Sequence, residues 1–350
     1  MTTRTKREIR LADHFDTPRL LRFTAPSVIM MIFTSIYGVV DGFFVSNYAG
    51  KTPFAAVNFI MPLLMIFGCV GFMFGTGGGA LISKTLGERE EGKARELFSL
   101  VYTSIALGVL LAVLGVIFLR PIARLLGAEG EMLDACVLYG RIILFALPFY
   151  ILQYEFQCLF ATAGKPKLGL LVMVAAGVTN MVLDALFVAV FPWGVAGAAV
   201  ATALSRAVGG IIPLVYFAKK NTSMLKLGRC RLDFSALGKV CANGSSELMS
   251  NISMSLVGML YNARLMAYAG EDGVAAYGVL MYVSMIFQAI FIGYSVGTAP
   301  VIGYHYGAKT RGTPRHSPSE PDSCRHHGTL DVRRGRTLRL SALSFVHRVR

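Results

Sequence analysis

Charge is scarce in this 350-residue chain. Asp, Glu, Lys and Arg together make up 15% of it, whereas a soluble domain carries about 25%. Length alone would suit two soluble domains, but no charged residue occurs from Leu63 to Ser83 or from Gly273 to Tyr304. A bilayer-spanning helix needs about 20 apolar residues, and soluble core helices rarely stay uncharged so long. The six cysteines, Cys69, Cys136, Cys158, Cys230, Cys241 and Cys324, form no CxxC pair and no metal-ligand spacing. Most sit in or beside apolar segments, where a thiol acts as a small hydrophobe. A cleavable leader is also missing: Glu8, Asp13 and Asp16 stand where its apolar region would be. Gly75, Gly77, Gly78 and Gly79 lack the lysine of a phosphate-binding loop, so helix packing is their expected role. No Asp-rich metal motif suggests an intramembrane prenyltransferase, and the reading is not that of an enzyme.

What is present is apolar sequence in eight blocks. Helices are expected at 20–46, 53–83, 97–119, 133–160, 168–191, 195–218, 236–269 and 273–306, joined by turns at Ala49-Gly50, Gly87, Gly127 to Gly130, Gly164-Lys165-Pro166-Lys167 and Pro192-Trp193-Gly194. Alternate connections place 18 Lys and Arg on one side and three (Lys51, Arg120 and Arg124) on the other. Positive residues stay cytoplasmic, so both termini are expected inside a bacterial plasma membrane. The formal charge of +14 is spread between apolar segments and the tail. It does not form one basic face for nucleic acid; the expected partners are the lipid bilayer and small organic cations, with the chain monomeric.

The sequence repeats itself. Tyr48-Ala49-Gly50 returns as Tyr268-Ala269-Gly270, Ala55-Ala56 as Ala275-Ala276 and Met65-Ile66-Phe67 as Met285-Ile286-Phe287. Met61, Gly77, Ile82 and Gly87 match Met281, Gly297, Ile302 and Gly307, giving 12 identities in the 40 positions from 48 to 87 at a constant shift of 220. Six helices separate the copies. Both therefore enter the membrane in one direction, a parallel repeat with its axis along the membrane normal. The expected organisation is a cytoplasmic segment 1–19, a six-helix lobe 20–220, a cytoplasmic linker 221–235, a partial second lobe 236–309 and a basic tail 310–350. Residues 311–350 hold nine Arg and four of the six His but no Lys, a shift that favours a lost reading frame near Thr310.

Polar residues inside apolar segments are costly and usually functional. Asp41 sits in an apolar run from Phe23 to Val45. Asn180 and Asp184 are four apart and share a helix face, a pairing that can hold a sodium ion or position a protonated carboxyl group. Glu247 follows Gly244-Ser245-Ser246 early in the seventh helix. Glu155 lies near the inner end of the fourth, where snorkelling or capping is expected. Arg141 and Arg264 reach the outer interface by snorkelling; Arg206 lies deeper and is expected to pair with a carboxylate.

Three segments carry a resemblance: Tyr37-Gly38-Val39-Val40-Asp41-Gly42-Phe43-Phe44-Val45-Ser46, Thr179-Asn180-Met181-Val182-Leu183-Asp184-Ala185-Leu186-Phe187, and Gly194-Val195-Ala196-Gly197-Ala198-Ala199-Val200-Ala201-Thr202. Together, and in this order, the chain from about residue 15 to 310 resembles the multidrug and toxic compound extrusion (MATE) family. The resemblance implies an all-α membrane protein with two parallel-repeat six-helix lobes, here helices 1–6 plus helices 7–8 and a non-membrane tail, without helices 9–12. It implies an antiporter exchanging organic cations for protons or sodium ions, with no other cofactor. Tyr37, Asp41, Asn180, Asp184 and Glu247 then become the candidates for binding passenger or ion, and Asp41, Asn180 and Asp184 those for sodium. An exporter or flippase of lipid-linked or anionic substrates, and an inactive truncated product, are the alternatives.

Overall fold

The structure is a computed structural model that describes residues 11–13, 15–49, 51–125, 128–219, 221, 223–228 and 233–311. Cys230, Cys324 and the Arg-rich tail after Arg311 lie outside these. Among the described residues the ordered elements are all helical. α1 (Thr17–Phe44) continues into a π-helical turn, Val45–Ala49. α2 (Lys51–Gly87) returns, the short α3 (Glu91–Phe98) lies before α4 (Val101–Leu125), and α5 (Gly130–Phe145) and α6 (Leu147–Thr162) follow. α7 (Pro166–Asp184) runs into a second π-helical turn, Ala185–Val190, ahead of α8 (Gly194–Ala218) and α9 (Phe234–Arg311).

Six of these helical stretches are long and apolar enough to cross a membrane, and the α5–α6 pair makes a seventh. That pair corrects the single helix expected over 133–160: it bends by 60°. Pro148 explains the break, because its ring leaves the Leu144 carbonyl without the usual N–H donor. Likewise the start expected at residue 97 belongs to α3, which turns the Lys93–Glu90 and Arg95–Glu91 pairs (3.5 and 3.4 Å) outward and buries Ala94, Leu97 and Phe98. Gly164, with φ +68°, turns α6 into α7 in a conformation that a side chain would strain.

α9 corrects the expected turn near Gly270, since its backbone is helical throughout. A straight helix of this length would reach about 117 Å at 1.5 Å per residue. Yet a Cβ on Gly77 would overlap the Val240 carbonyl, and one on Gly87 the Tyr304 carbonyl. Glu247 and Val296 also line one cavity. The chain therefore reverses between Asn251 and Ile292, and its two arms flank that cavity; of the two spans expected here, Ser284–Ala308 is long and apolar enough to cross a membrane.

The repeat is visible in these contacts. A Cβ on Gly77 would lie 2.8 Å from the Gly244 nitrogen, and one on Gly297 2.9 Å from Thr24 Cγ2. Adding 220 to Gly77 gives Gly297, and subtracting it from Gly244 gives Thr24. At one end of the bundle a Cβ on Gly87 would overlap the Tyr304 carbonyl and one on Gly307 the Lys84 carbonyl; the same shift exchanges the two contacts. Reciprocal contacts of this kind define a two-fold relation.

The same end gathers the connections expected to share one side. Ser223 Oγ donates to the Ala163 carbonyl at 3.1 Å, the Gly228 N–H donates to Ser99 Oγ at 3.0 Å, and Phe15 stands edge-on to His305 at 6.4 Å. Lipid is as apolar as a core, so packing and close approach hold such helices together. Gly75 and Gly79 serve this, for Cβ atoms there would lie 2.9 Å from the Glu155 carbonyl and 3.0 Å from Thr162 Oγ1. Phe98, Phe156, Phe160 and Phe217 fill the centre between α3, α6 and α8, with Phe156 and Phe217 stacked at 5.8 Å.

Candidate functional site

Gly177, Asn180 and Asp184 lie at i, i+3 and i+7 on α7, hence on one face. Gly177 lets α1 come close: a Cβ there would sit 2.5 Å from Phe33 Cε1 and 2.9 Å from Tyr37 Cδ1. Asp41 is one turn beyond Tyr37. The approach at Gly177 thus delivers Asp41 to Asp184, with Asn180 and Thr202 of α8 beside it. Asp184 (0% exposed) and Asn180 (1%) are fully buried.

These groups crowd together without a well-aligned hydrogen bond among them. Asp41 Oδ1, Asn180 Oδ1, both Asp184 carboxylate oxygens and Thr202 Oγ1 are buried without a hydrogen-bond partner, as is the Tyr139 hydroxyl. Buried polar atoms are ordinarily paired, and an unpaired one costs roughly 1–3 kcal/mol. Such a cluster in an apolar bundle has the chemistry to hold a proton or a small cation. Its oxygens are hard donors of the kind that hold Na⁺ or accept H⁺. Asp41 and Asp184 each stand just before or at the start of a π-helical turn. Single π turns occur mostly at functional sites.

Of the five residues singled out in the sequence, Tyr37, Asp41, Asn180 and Asp184 come together. Glu247 does not join them. It lines a separate cavity of about 160 Å³ between α2, α6 and the two arms of α9, with Thr76, Cys158, Asn243, Asn251 and Thr298 among its walls. Arg206 corrects an expectation. It pairs with no carboxylate among the described residues; its Nη1 donates to Tyr37 Oη at 3.2 Å and Gln153 Oε1 at 3.1 Å. Glu155 corrects another, for it neither snorkels nor caps. It is 3% exposed, and the Ser104 hydroxyl donates to its Oε2. Thr202 and Tyr139 were missed as site residues. Thr202 ends the third quoted segment, while Tyr139, beside Gly140 and Arg141, gave only a weak polar signal in an apolar stretch.

These observations describe an internally repeated, multi-pass α-helical membrane protein whose buried polar interior is ionisable. The chain belongs to the MatE family, whose description matches residues 26–186 and 248–317. It is 28% identical over 295 residues to the multidrug export protein MepA of Staphylococcus haemolyticus (strain JCSC1435), covering 83% of this chain and 65% of the relative. It is 27% identical over 289 residues to MepA of Staphylococcus saprophyticus, covering 82% and 64%. The chain thus spans slightly less than two thirds of these relatives. Among solved structures, a MATE protein in complex with MaL6 superposes with a TM-score of 0.79 at 24% identity, over 87% of this chain and 68% of that one. An outward-facing multidrug resistance MATE family transporter of the MOP superfamily superposes with a TM-score of 0.74 at 26% identity, over 83% and 65%.

Proposed function

We propose that the chain is the substrate- and ion-binding part of a secondary multidrug efflux antiporter, which exchanges organic cations for protons or sodium ions across a bacterial plasma membrane. It works as a monomer with both termini in the cytoplasm. One observation carries the reading: Asp41 and Asp184, from different helices, stand side by side with no basic residue paired to either among the described residues. Two carboxylates so placed repel each other, and any cation that arrives relieves the repulsion. A passenger and a coupling ion then compete for one place, and loading one favours release of the other. Asn180 and Thr202 add neutral oxygens that suit Na⁺, while the carboxyl groups themselves suit H⁺. Gly177 and the tight α1–α7 contact hold the pair in register.

The names of the staphylococcal relatives support export as the direction of movement. An anionic or lipid-linked passenger would need a chamber dominated by Arg and Lys, which the acidic pair opposes. The test is ethidium movement in inverted vesicles carrying this chain, under an imposed proton or sodium gradient. Gradient-driven movement that disappears in Asp41→Asn and in Asp184→Asn is expected. Movement unchanged by both substitutions would refute the assignment. Binding without movement would favour the reading in which this polypeptide is inactive in transport.

A further inference from the structure

A groove of about 450 Å³ lies on the outside of the bundle where α5 bends into α6. Phe145, Ala146 and Phe149 line one side of it, and Ala203 and Ala207 of α8 line the other. Just past the bend, Gly210 draws α8 against α6, since a Cβ there would lie 2.9 Å from the Phe149 carbonyl. One and two turns before Gly210, α8 carries only the methyl groups of Ala207 and Ala203, so the space beside the 60° bend stays unfilled. Phe145 is 82% exposed, and the groove therefore opens towards lipid. Arg141, one turn before Phe145 on α5, lines it too. Arg141 is exposed, and among the described residues no acidic side chain and no hydrogen-bond acceptor pairs with it. The Arg120–Asp134 pair, at 3.1 Å, joins α4 to the start of α5. Arg141 is seven residues beyond Asp134 on the same face, about 10.5 Å further along the helix.

An arginine side chain stays charged in a protein. On a lipid-facing helix, a guanidinium without a counter-ion is costly. Its long stem relieves the cost by reaching back towards the interface, and the anion that waits there is a lipid phosphate. We propose that the groove seats an anionic diacyl phospholipid of the leaflet nearer the α4–α5 connection. The phosphate meets the Arg141 guanidinium, whose planar fork suits two phosphate oxygens. One acyl chain lies between Phe149 and the strip formed by Ala203 and Ala207. Head-group charge selects the lipid: phosphatidylglycerol offers Arg141 a full counter-charge, whereas phosphatidylcholine brings an ammonium of its own. The inference rests on the placement of these helices in a bilayer and not on which ion drives transport.

The experiment uses the whole 350-residue chain in phosphatidylcholine nanodiscs. Trp193 is the single tryptophan, so Trp193→Phe combined with Phe149→Trp puts one fluorophore in the groove. If that variant does not fold, Phe145→Trp carries the same reporter. Dibrominated phosphatidylglycerol and dibrominated phosphatidylcholine, each at low mole fraction, quench it on contact. Quenching is expected to show the anionic lipid bound about fivefold more tightly than the zwitterionic one. Arg141→Gln should abolish that preference, and Arg141→Lys should keep most of it. Ala207→Leu, which fills the groove, should weaken quenching by both lipids. Val113, 53% exposed on α4, supplies a reporter of bulk lipid as Val113→Trp, and no head-group preference is expected there. Equal quenching of the groove reporter by the two lipids, or a preference that survives Arg141→Gln, overturns the proposal. So does an equal preference at Val113→Trp, which would mark a general attraction of this basic chain for anionic lipid. Loss of the preference in millimolar glycerol phosphate would give Arg141 to a soluble anion and overturn the lipid seat.

Discussion

Gly87 and Gly307 allow a test of the two-fold packing. Replacing either by alanine adds one methyl group. In an open helical position this change is favourable by up to about 1 kcal/mol, because alanine loses less backbone freedom. At Gly92 and Gly238 a Cβ would meet nothing within 4 Å, so Gly92→Ala and Gly238→Ala should stabilise by roughly that amount. At Gly87 the new atom would overlap the Tyr304 carbonyl and lie 2.9 Å from the Ala308 nitrogen; at Gly307 it would overlap the Lys84 carbonyl and lie 3.2 Å from the Glu88 nitrogen. Backbone atoms cannot rotate aside as a side-chain end can. Overpacking of this kind costs about 1–3 kcal/mol, which exceeds the propensity gain. Gly87→Ala and Gly307→Ala should each lower stability by a net of up to about 2 kcal/mol. The two costs should be similar, since the contacts are images of each other. Both substitutions push apart the same helix pair, so the double variant should lose less than the sum of the single losses. The assay is thermal unfolding in detergent, followed by circular dichroism, with the Gly92 and Gly238 variants run alongside. A Gly87→Ala protein as stable as Gly92→Ala would refute the reasoning, as would a large cost at Gly87 with none at Gly307.

Other substitutions probe the site and the core. Gly177→Ala should force Phe33 and Tyr37 away from α7 and weaken ethidium binding, read by calorimetry; unchanged affinity would separate the α1–α7 approach from binding. Glu155→Gln keeps the volume and a partner for Ser104 and should leave stability within about 0.5 kcal/mol. Glu155→Ala opens a cavity, leaves the Ser104 hydroxyl only the Val101 carbonyl at 2.9 Å as acceptor, and should cost roughly 2–4 kcal/mol in the same unfolding assay. In a Cys230→Ser/Cys324→Ser variant, the buried Cys69, Cys136 and Cys158 should resist a membrane-permeant maleimide until unfolding. Partly exposed Cys241 should react first, as mass spectrometry of labelled peptides would show.

The spans were legible because lipid demands long uncharged runs, and the repeat because matched letters fell in one register. Asp41 and the Asn180–Asp184 pair stood out for the same reason: a carboxyl in an apolar run has few uses. The partners of these residues were harder to read. Thr202 and Tyr139 join the site through the way α5 and α8 pack, and neither residue is costly enough in an apolar helix to draw notice. The fate of Arg206 was hidden too, since a guanidinium satisfied by two neutral oxygens and by the Tyr150 and Tyr154 rings leaves no charge pattern in the chain. Pro148 did signal the α5–α6 bend, but the apolar letters run on across it. The π-helical turns after Asp41 and Asp184 have no compositional mark, because widening a turn by one residue changes its hydrogen bonds and leaves its polarity alone.

The reciprocal seam between Lys84–Gly87 and Tyr304–Gly307 bears on how such a molecule is put together. The first arm of α9 packs on α2 and the second on both α1 and α2, so the opening hairpin of the second repeat is already seated against the first. In a relative that extends beyond this chain, the remainder would be laid against a seam that is already formed, much as outer stones are laid against a keystone.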